Sequence, residues 1–263
     1  MAGAQRATPA GAGPAGAGVA AAESRTPGRR GRATRQRLLE CTLDLLATTP
    51  WRSVKVKDIA QAAGMSPPSF YQYFENVEQA IVVLAEELVE QAGVLTVLVD
   101  GDWSEGGSWP TTRRFVEGFM VYWERNRTVF RVVDLATEEG DRRFHGLRVQ
   151  ALNAVTVTLA RVIAVEGGNR AGNDPMAVAA TVISMLAHVA AHQYGYAFWG
   201  IRTRSMVDSQ ARILHWVVTG REAPADADAG RVRPPRTGPV VGGGAARARI
   251  EATRRRRGPT TGT

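Results

Sequence analysis

Cysteine is nearly absent from this chain, and so are the short motifs that mark the common enzyme classes. Cys41 is the one cysteine among 263 residues. With a single thiol the chain cannot form an internal disulfide, and low cysteine content is typical of proteins in a reducing cytoplasm. A redox-sensing role for Cys41 has no support, because no second cysteine is present to form a disulfide with it. The sequence has no P-loop, no GxSxG elbow, no HExxH pair and no GxGxxG after a predicted strand. No catalytic site, cofactor or metal is therefore predicted.

Strand-like alternation of polar and apolar residues is also missing, whereas helical spacing recurs along the chain. A first helix is predicted over residues 34–48, with an apolar stripe made of Leu38, Leu39, Thr42, Leu45 and Leu46. Further helices are predicted at 76–98 and near 111–126, 127–138, 140–166, 175–200 and 204–218. The predicted fold class is all-α.

Formal charge is missing from residues 175–201, which raises the alternative of a membrane span. The segment is rich in alanine and contains histidine, glutamine and glycine, so its hydrophobicity is only moderate. Asp174 followed by Pro175 is a typical N-terminus of a helix in a soluble protein. We favour a helix buried in a core or a subunit interface, and predict no membrane partner.

Positive charge is concentrated at the two ends of the chain. Residues 1–37 carry seven arginines against one glutamate, and residues 221–263 carry ten against four acidic groups. The total is +8, so the 183 residues between the ends carry −4. We predict a disordered Ala/Gly/Pro-rich arm at 1–27 and a disordered basic tail at 221–263, both suited to attracting phosphates.

Residues 56–75, VKDIAQAAGMSPPSFYQYFE, contain a short helix followed by a sharp turn. Ile59, Ala60 and Ala63 share one helix face, and Gly64 can adopt the positive φ that ends a helix. The small side chain of Ala60 allows a second helix to cross closely. This arrangement predicts a helix-turn-helix, although the turn alone fits an ordinary αα-corner equally well.

The second helix of this segment favours a DNA-reading function. Ser66 takes the N-cap position, Pro67 the first helical position, and Phe70 and Phe74 point back onto the first helix. The remaining side chains have planar polar tips that reach phosphates and base edges: Tyr71, Gln72 and Tyr73.

The string from Asp58 to Phe74, DIAQAAGMSPPSFYQYF, resembles the signature of the tetracycline-repressor (TetR) family of bacterial transcription regulators. The resemblance covers about residues 28 to 80. This chain departs from the family pattern at Lys55, where Thr or Ser is usual, and at Val77, where Lys is usual. One common phosphate contact is therefore missing from the pattern, and Lys55 or Lys57 is expected to replace it.

The resemblance and the residue chemistry together give the predicted DNA contacts. The major-groove set is Ser66, Pro67, Pro68, Ser69, Tyr71 and Gln72, with the Gln72 amide as the best base-reading group. The predicted phosphate contacts are Tyr73, Lys55, Lys57 and Thr34. An arginine arm of Arg29, Arg30 and Arg32 is expected to reach a neighbouring groove or the backbone. The DNA-binding domain is assigned to residues 28–76.

Residues 77–220 are assigned to a helical effector-binding and dimerisation domain, as the resemblance implies. A largely apolar effector is expected in a cavity whose candidate lining residues are Phe119, Tyr122, Trp123, Phe130, Met185, His188 and Trp199. The alternative is that these side chains only form the core. The resemblance also implies a homodimer formed by the helices near 175–200 and 204–218.

The sequence thus predicts a cytoplasmic homodimer that binds a near-palindromic DNA operator and is released by a small ligand. Two alternatives from other classes remain open. One is a nucleoid-type protein whose basic ends bind DNA without sequence choice. The other is a metal-dependent enzyme that uses His188 and His192, which are spaced i, i+4 on one predicted helix.

Overall fold

The computed structural model describes residues 28–167, 172 and 174–224, and within them every regular element is a helix and none is a strand. The prediction of an all-α fold is confirmed. The ten α-helices are α1 (Arg29–Thr48), α2 (Val56–Ala62), α3 (Pro67–Phe70), α4 (Val77–Gln91), α5 (Gly93–Val99), α6 (Ser108–Arg125), α7 (Arg127–Glu138), α8 (Arg142–Glu166), α9 (Pro175–His192) and α10 (Thr203–Thr219). The predicted disordered arm at 1–27 lies outside the described residues, as does the basic tail from 225 onward.

Helix α1 begins at Arg29, five residues before its predicted start. The amide of Arg32 already donates to the carbonyl of Gly28 at 3.0 Å, so the helix is hydrogen-bonded from its first turn. Arg29, Arg30 and Arg32 therefore lie in the first turn of α1 and not in a separate arm, and their contact with DNA stays a prediction. Arginine is a good helix former, and this stretch simply extends the amphipathic helix that follows it.

Helices α2 and α3 are joined by the predicted sharp turn. Gly64 has a φ of +71°, and the amides of Gly64 and Met65 donate to the carbonyls of Gln61 and Ala60 at 3.0 and 2.8 Å. This pair of bonds is a Schellman motif, which requires the left-handed residue that glycine supplies. Ala60 is fully buried, as expected where two helices approach closely.

The predicted helix from 76 to 98 is two helices, α4 and α5, with a break at Ala92 and Gly93. Its start is as predicted, because the Asn76 side chain accepts from the Gln79 amide at 2.8 Å. Gly93 weakens the helix at the break, and Ala92 accepts from the amide of Leu95 in a tighter turn. Helix α4 packs against α1 on one side and against α7 and α8 on the other, so it joins the two domains.

The C-terminal domain is built around α8, which has 25 residues and packs against α4, α5, α7, α9 and α10. The Asp141 carboxylate caps this helix by accepting from the amide of Arg143 at 2.9 Å. Asp174 caps α9 in the same way, accepting from the amide of Met176 at 2.9 Å, as predicted. Helix α9 ends at His192 rather than near 200, and a 3-10 helix follows at Gly195–Trp199.

The buried His215 side chain connects the end of α10 to the start of α6 through hydrogen bonds. The Ser108 hydroxyl lies 3.2 Å from Nε2 of His215, and Nδ1 of His215 lies 3.1 Å from the carbonyl of Arg221. Because the carbonyl can only accept, Nδ1 carries the proton and Nε2 accepts from Ser108. Burial lowers the pKa of His215, so the neutral ring is the native form.

Two helices, α8 and α9, are long and apolar enough to cross a membrane by length and composition alone. Both lie in the helical bundle, where α8 packs against five other helices and α9 packs against α6 and α8. This packing buries 39% of the apolar window of α8 and 33% of that of α9, so it accounts for part of their apolar composition.

Candidate nucleic-acid interface and regulatory domain

Helix α3 and the turn that follows it present a polar face to solvent because Phe70 and Phe74 hold the opposite face in the core. Phe70 and Phe74 are 0% and 2% exposed, with ring centroids 5.5 Å apart. Tyr71 is 58% exposed and meets the edge of Phe70 at 5.8 Å. The helical turns continue past α3, since the Phe74 amide donates to the carbonyl of Phe70 at 3.1 Å. The result is a rigid, short element with an accessible outer face.

Most of the predicted major-groove residues lie together on that outer face. The exposed members are Ser66, Pro67, Pro68, Tyr71 and Gln72, while Ser69 and Tyr73 are half-buried. The hydroxyls of Ser66 and Ser69 lie 2.9 Å apart, so Ser66 occupies the N-cap position without bonding a backbone amide. The Gln72 side chain makes no hydrogen bond within the described residues and is available to a base edge.

The predicted phosphate-binding cations are exposed on the elements that precede α3. Lys55, which precedes α2, and Lys57, in its first turn, are both exposed. Arg29 and Arg30 are exposed in the first turn of α1. Thr34 differs from the prediction, because its hydroxyl donates to the carbonyl of Arg30 at 3.0 Å and is occupied within the helix.

Sequence reasoning did not identify Arg35 as part of this surface. Its guanidinium lies over the ring of Phe74, 5.2 Å from the centroid, and so joins α1 to the end of the reading element. In the sequence, nothing distinguishes Arg35 from the other arginines of α1. Which of them faces Phe74 depends on how α1 packs across the motif.

The comparisons with known families agree with this geometry. The model described as "Bacterial regulatory proteins, tetR family" matches residues 38–79, which span most of α1 and the motif. The model described as "Tetracyclin repressor-like, C-terminal domain" matches residues 95–225. The chain belongs to the TetR family. Its members are DNA-binding transcription regulators, so the resemblance carried by the motif is confirmed.

Several solved structures share the fold at low sequence identity. The fatty acid degradation regulator FadR from Bacillus halodurans is 13% identical, with a TM-score of 0.53 over 76% of this chain and 100% of that one. The MbdR regulator from Azoarcus sp. CIB is 15% identical, with a TM-score of 0.54 over 72% and 100%. GusR from Salmonella enterica is 17% identical, with a TM-score of 0.54 over 71% and 95%. No curated protein is similar enough in sequence to match this chain.

The aromatic residues predicted to line an effector cavity instead fill the core of the C-terminal domain. Phe119 stacks on Trp123 at 6.0 Å, and Trp123 stacks on Phe130 at 3.8 Å with nearly parallel rings. The phenol of Tyr122 donates to the carbonyl of Leu88 at 3.0 Å, and burial raises its pKa. These four side chains are at most 5% exposed, so they pack against each other.

The other three predicted lining residues are more exposed than the aromatic set, although Met185 still packs against the hydrophobic core. Met185 is half-buried, His188 is exposed, and Trp199 is 64% exposed in the 3-10 helix after α9. The prediction of one cavity lined by all seven residues is therefore wrong. Helical periodicity placed the aromatic stripe on the buried face of α6 correctly, but it did not show that neighbouring rings fill the space.

His188 and His192 lie on the exposed side of α9, rather than in the core of the protomer. Their rings stack at 4.3 Å, and Nδ1 of His192 lies 2.9 Å from the carbonyl of His188. No group of three or more His, Cys, Asp or Glu side chains suited to a metal occurs in the described part of the chain. The pair alone does not complete the three- or four-ligand set that zinc uses in proteins.

The outer surface of α9 and α10 carries mainly small and apolar side chains, and α10 also has the exposed Arg204 and the half-buried Arg212. On α9 its exposed residues are Met176, Ala177, Ala180, Thr181, Ser184 and His188. On α10 they are Ser209, Ile213 and Trp216, of which Trp216 is 62% exposed. The adjoining 3-10 helix adds Phe198, which is 87% exposed. Exposed apolar side chains grouped in this way are typical of a protein–protein interface.

Two open surface cavities occur in the described structure, and neither involves the predicted aromatic set. One has about 310 Å³ and lies between the start of α9 and the end of α10, lined by Asp174, Ala177, Val178, Thr181, Val182 and Val217. The other has about 360 Å³ and lies between the two domains, lined by Thr48, Thr49, Pro50, Trp51, Arg131, Val132 and Leu135. We call the second one the junction groove.

Several side-chain contacts connect the DNA-binding domain to the C-terminal domain near the junction groove. Arg52 donates through Nε to a Glu139 carboxylate oxygen at 3.1 Å. In two further contacts, Arg131 donates to the carbonyl of Leu46, and the rings of Trp51 and Phe144 lie 6.4 Å apart. The orientation of the motif is thus set by both ends of α7 and the start of α8.

Proposed function

We propose that this chain is a homodimeric, sequence-specific transcription repressor that leaves its operator when a small ligand binds the C-terminal domain. The observation that carries the proposal is the exposed polar face of α3, held rigid by the buried Phe70 and Phe74. A short element with an accessible amide and phenol at its surface is suited to base-edge recognition in a major groove.

The proposed DNA contacts divide into base-reading and backbone groups. Gln72 and Tyr71 read base edges, supported by Ser66, Pro67 and Pro68, which approach the groove at the N-terminus of α3. The exposed cations Lys55, Lys57, Arg29, Arg30 and Arg32 neutralise phosphates on either side. The half-buried Ser69 and Tyr73 contact the backbone at the edge of the same face. Thr34 is left out of the phosphate contacts, since its hydroxyl is already bonded.

The proposed homodimer uses the outer surface of α9 and α10. Small side chains along α9 allow two helices to approach closely, and Ile213 and Trp216 on α10 supply apolar area that a partner removes from water. A two-fold dimer then presents two reading heads to a near-palindromic site, about one DNA turn or a multiple apart. His188 lies on this surface and becomes an interface residue in the dimer. The dimer works in the cytoplasm and needs no cofactor.

The decisive experiment is to sequence the genomic DNA fragments that the purified protein retains. A single near-palindromic motif, bound far more tightly than random DNA, supports the repressor. Retention of all fragments alike would favour the nucleoid-type alternative instead. Elemental analysis of the same preparation addresses the enzyme alternative, because a stoichiometric metal at His188 and His192 is what that alternative requires.

A further inference from the structure

The junction groove is built from both domains. Its first wall is the end of α1 and the segment after it, Thr48 to Trp51, and its second wall is one face of α7. Apolar groups dominate the middle: Val132 is 1% exposed at the bottom, and Leu135 is 44% exposed at the rim. A cavity of about 360 Å³ between two domains has the size and position of a typical small-ligand site.

Arg131 is the one charged residue among those that line the groove, so the groove favours a negatively charged ligand. Arg131 donates to the carbonyl of Leu46, and within residues 28–167 and 174–224 no carboxylate lies within ion-pair distance of it. A guanidinium has five N–H donors, so most of its donors remain for a ligand. A carboxylate matches this fork better than any neutral group does.

The indole of Trp51 supplies the apolar partner for the body of such a ligand. Arg52 covers one side of this ring at 4.5 Å, and Phe144 approaches it at 6.4 Å. Pro50 and Leu135 extend the apolar lining toward solvent. The groove is therefore complementary to a small molecule with an aromatic or aliphatic body and one carboxylate.

The second cavity does not share these properties. Its charged lining residue is Asp174, whose carboxylate already caps α9, and the cavity opens beside the surface that we assign to the dimer. It would repel an anion, and it does not involve the DNA-binding domain. Of these two cavities, only the junction groove is lined by residues of the DNA-binding domain, so a ligand bound there contacts that domain directly.

We infer that the junction groove is a regulatory site for a small apolar carboxylate, whose carboxylate pairs with Arg131 and whose body packs on Trp51. This inference rests on the proposed function, because it assigns the site and the chemical class of the effector. The two walls belong to different domains, so a bound molecule has different contacts in each relative orientation of the domains. Such a difference is what a ligand needs in order to shift an equilibrium between DNA-binding and released states.

Covalent tethering tests the site with defined probes in place of the natural ligand. The Leu135→Cys substitution is made in a Cys41→Ser background, so that the groove has the one reactive thiol. Val149→Cys in the same background is the control, because Val149 is 51% exposed on α8 and lines neither cavity. The probes are two mixed disulfides that carry phenylacetate or phenylacetamide on the same linker. Intact mass spectrometry measures how much probe survives increasing 2-mercaptoethanol.

The Leu135→Cys variant should retain phenylacetate over phenylacetamide by about tenfold, the factor expected for one charge-assisted hydrogen bond. Adding Arg131→Gln should remove this preference, and the control should show none. Equal retention of the two probes in the Leu135→Cys variant, or the same preference in the control, would overturn the assignment of a carboxylate site.

Operator affinity then tests the regulatory half of the inference. The phenylacetate-modified Leu135→Cys protein should bind operator at least about fivefold more weakly than the unmodified variant, the low end of ordinary allosteric coupling. A selective tether with unchanged operator affinity would overturn the regulatory role. The operator affinity of the unmodified protein is measured before any probe is added. If that protein did not bind any DNA sequence specifically, the proposed function itself would be wrong, whatever the probes showed.

Discussion

Replacing Gln72 by alanine should reduce specific DNA binding strongly and leave the fold intact. Gln72 is exposed and makes no hydrogen bond within the described residues, so its loss should change the free energy of unfolding by less than about 0.5 kcal/mol. A bidentate amide contact to a base pair contributes ~1–3 kcal/mol of discrimination. Because a dimer carries two copies, we expect ~2–6 kcal/mol, or roughly 30- to 20,000-fold weaker operator binding.

Two matched variants separate base reading from a general defect. Tyr71→Phe keeps the ring that packs on Phe70 at 5.8 Å and removes the hydroxyl alone. Phe70→Ala removes a fully buried side chain and should cost about 3–5 kcal/mol of stability, so it weakens binding to every DNA through unfolding. Fluorescence anisotropy on operator and on random DNA of equal length gives both affinities for each variant, and circular dichroism gives the stability.

The ratio of operator to random affinity decides the outcome. For Gln72→Ala this ratio should fall by nearly the whole loss in operator affinity, since random DNA is bound through phosphates. A lysine variant such as Lys57→Ala should instead weaken both affinities alike and reduce the salt dependence. Equal losses for Gln72→Ala on the two DNAs would refute the assignment of Gln72 to base reading.

Three further predictions follow from particular contacts. Burial lowers the pKa of His215 in the folded protein, so the unfolded chain takes up a proton at this histidine at a higher pH than the folded protein does. The contribution of His215 to the free energy of unfolding should therefore be complete above about pH 6.5 and should decrease as the pH falls below it. Denaturant unfolding between pH 5 and 8 measures this decline, which should disappear in His215→Gln. Trp216→Glu should shift the protein to monomer in sedimentation while Val149→Glu does not, because the outer face of α10 is assigned to the dimer. Trp123→Ala should lower the free energy of unfolding by about 3–5 kcal/mol, because its ring stacks on Phe130 at 3.8 Å; a loss below about 1 kcal/mol would contradict a tightly packed core.

Local chemistry determined which parts of the fold could be predicted from the sequence. Gly64 and Asp174 were assigned correctly as turn and cap residues, because each acts on backbone groups within a few positions. The TetR motif was recognised for the same reason, since its spacing is set within two short helices. The start of α1 was misplaced because the helix begins directly after Pro27 and Gly28 and continues through Gly31, so the arginine-rich residues before Thr34 are already helical.

The candidate site for a ligand could not be predicted, because it depends on contacts far apart in the sequence. Periodicity placed Trp123 on a buried face, but which side chain fills the adjacent space is decided by α7 and α8. The i, i+4 spacing of His188 and His192 put both on one face of α9 correctly, yet it did not show that this face is exposed. Trp51 and Arg131 are 80 positions apart, and only the packing of α7 beside α1 brings them to one groove.

Helix α8 has a mechanical consequence for communication along the molecule. Its first turn contains Phe144, beside Trp51 of the DNA-binding domain, and its 25 residues run about 37 Å to the far side of the bundle, packing along α9. A straight helix of that length acts as a lever, so a tilt of about 5° moves one end by ~3 Å when the other is fixed. In a dimer formed through α9 and α10, the C-terminal end of α8 would be held at the interface. Small rotations at that interface would then change the distance between the two DNA-binding domains by several ångströms.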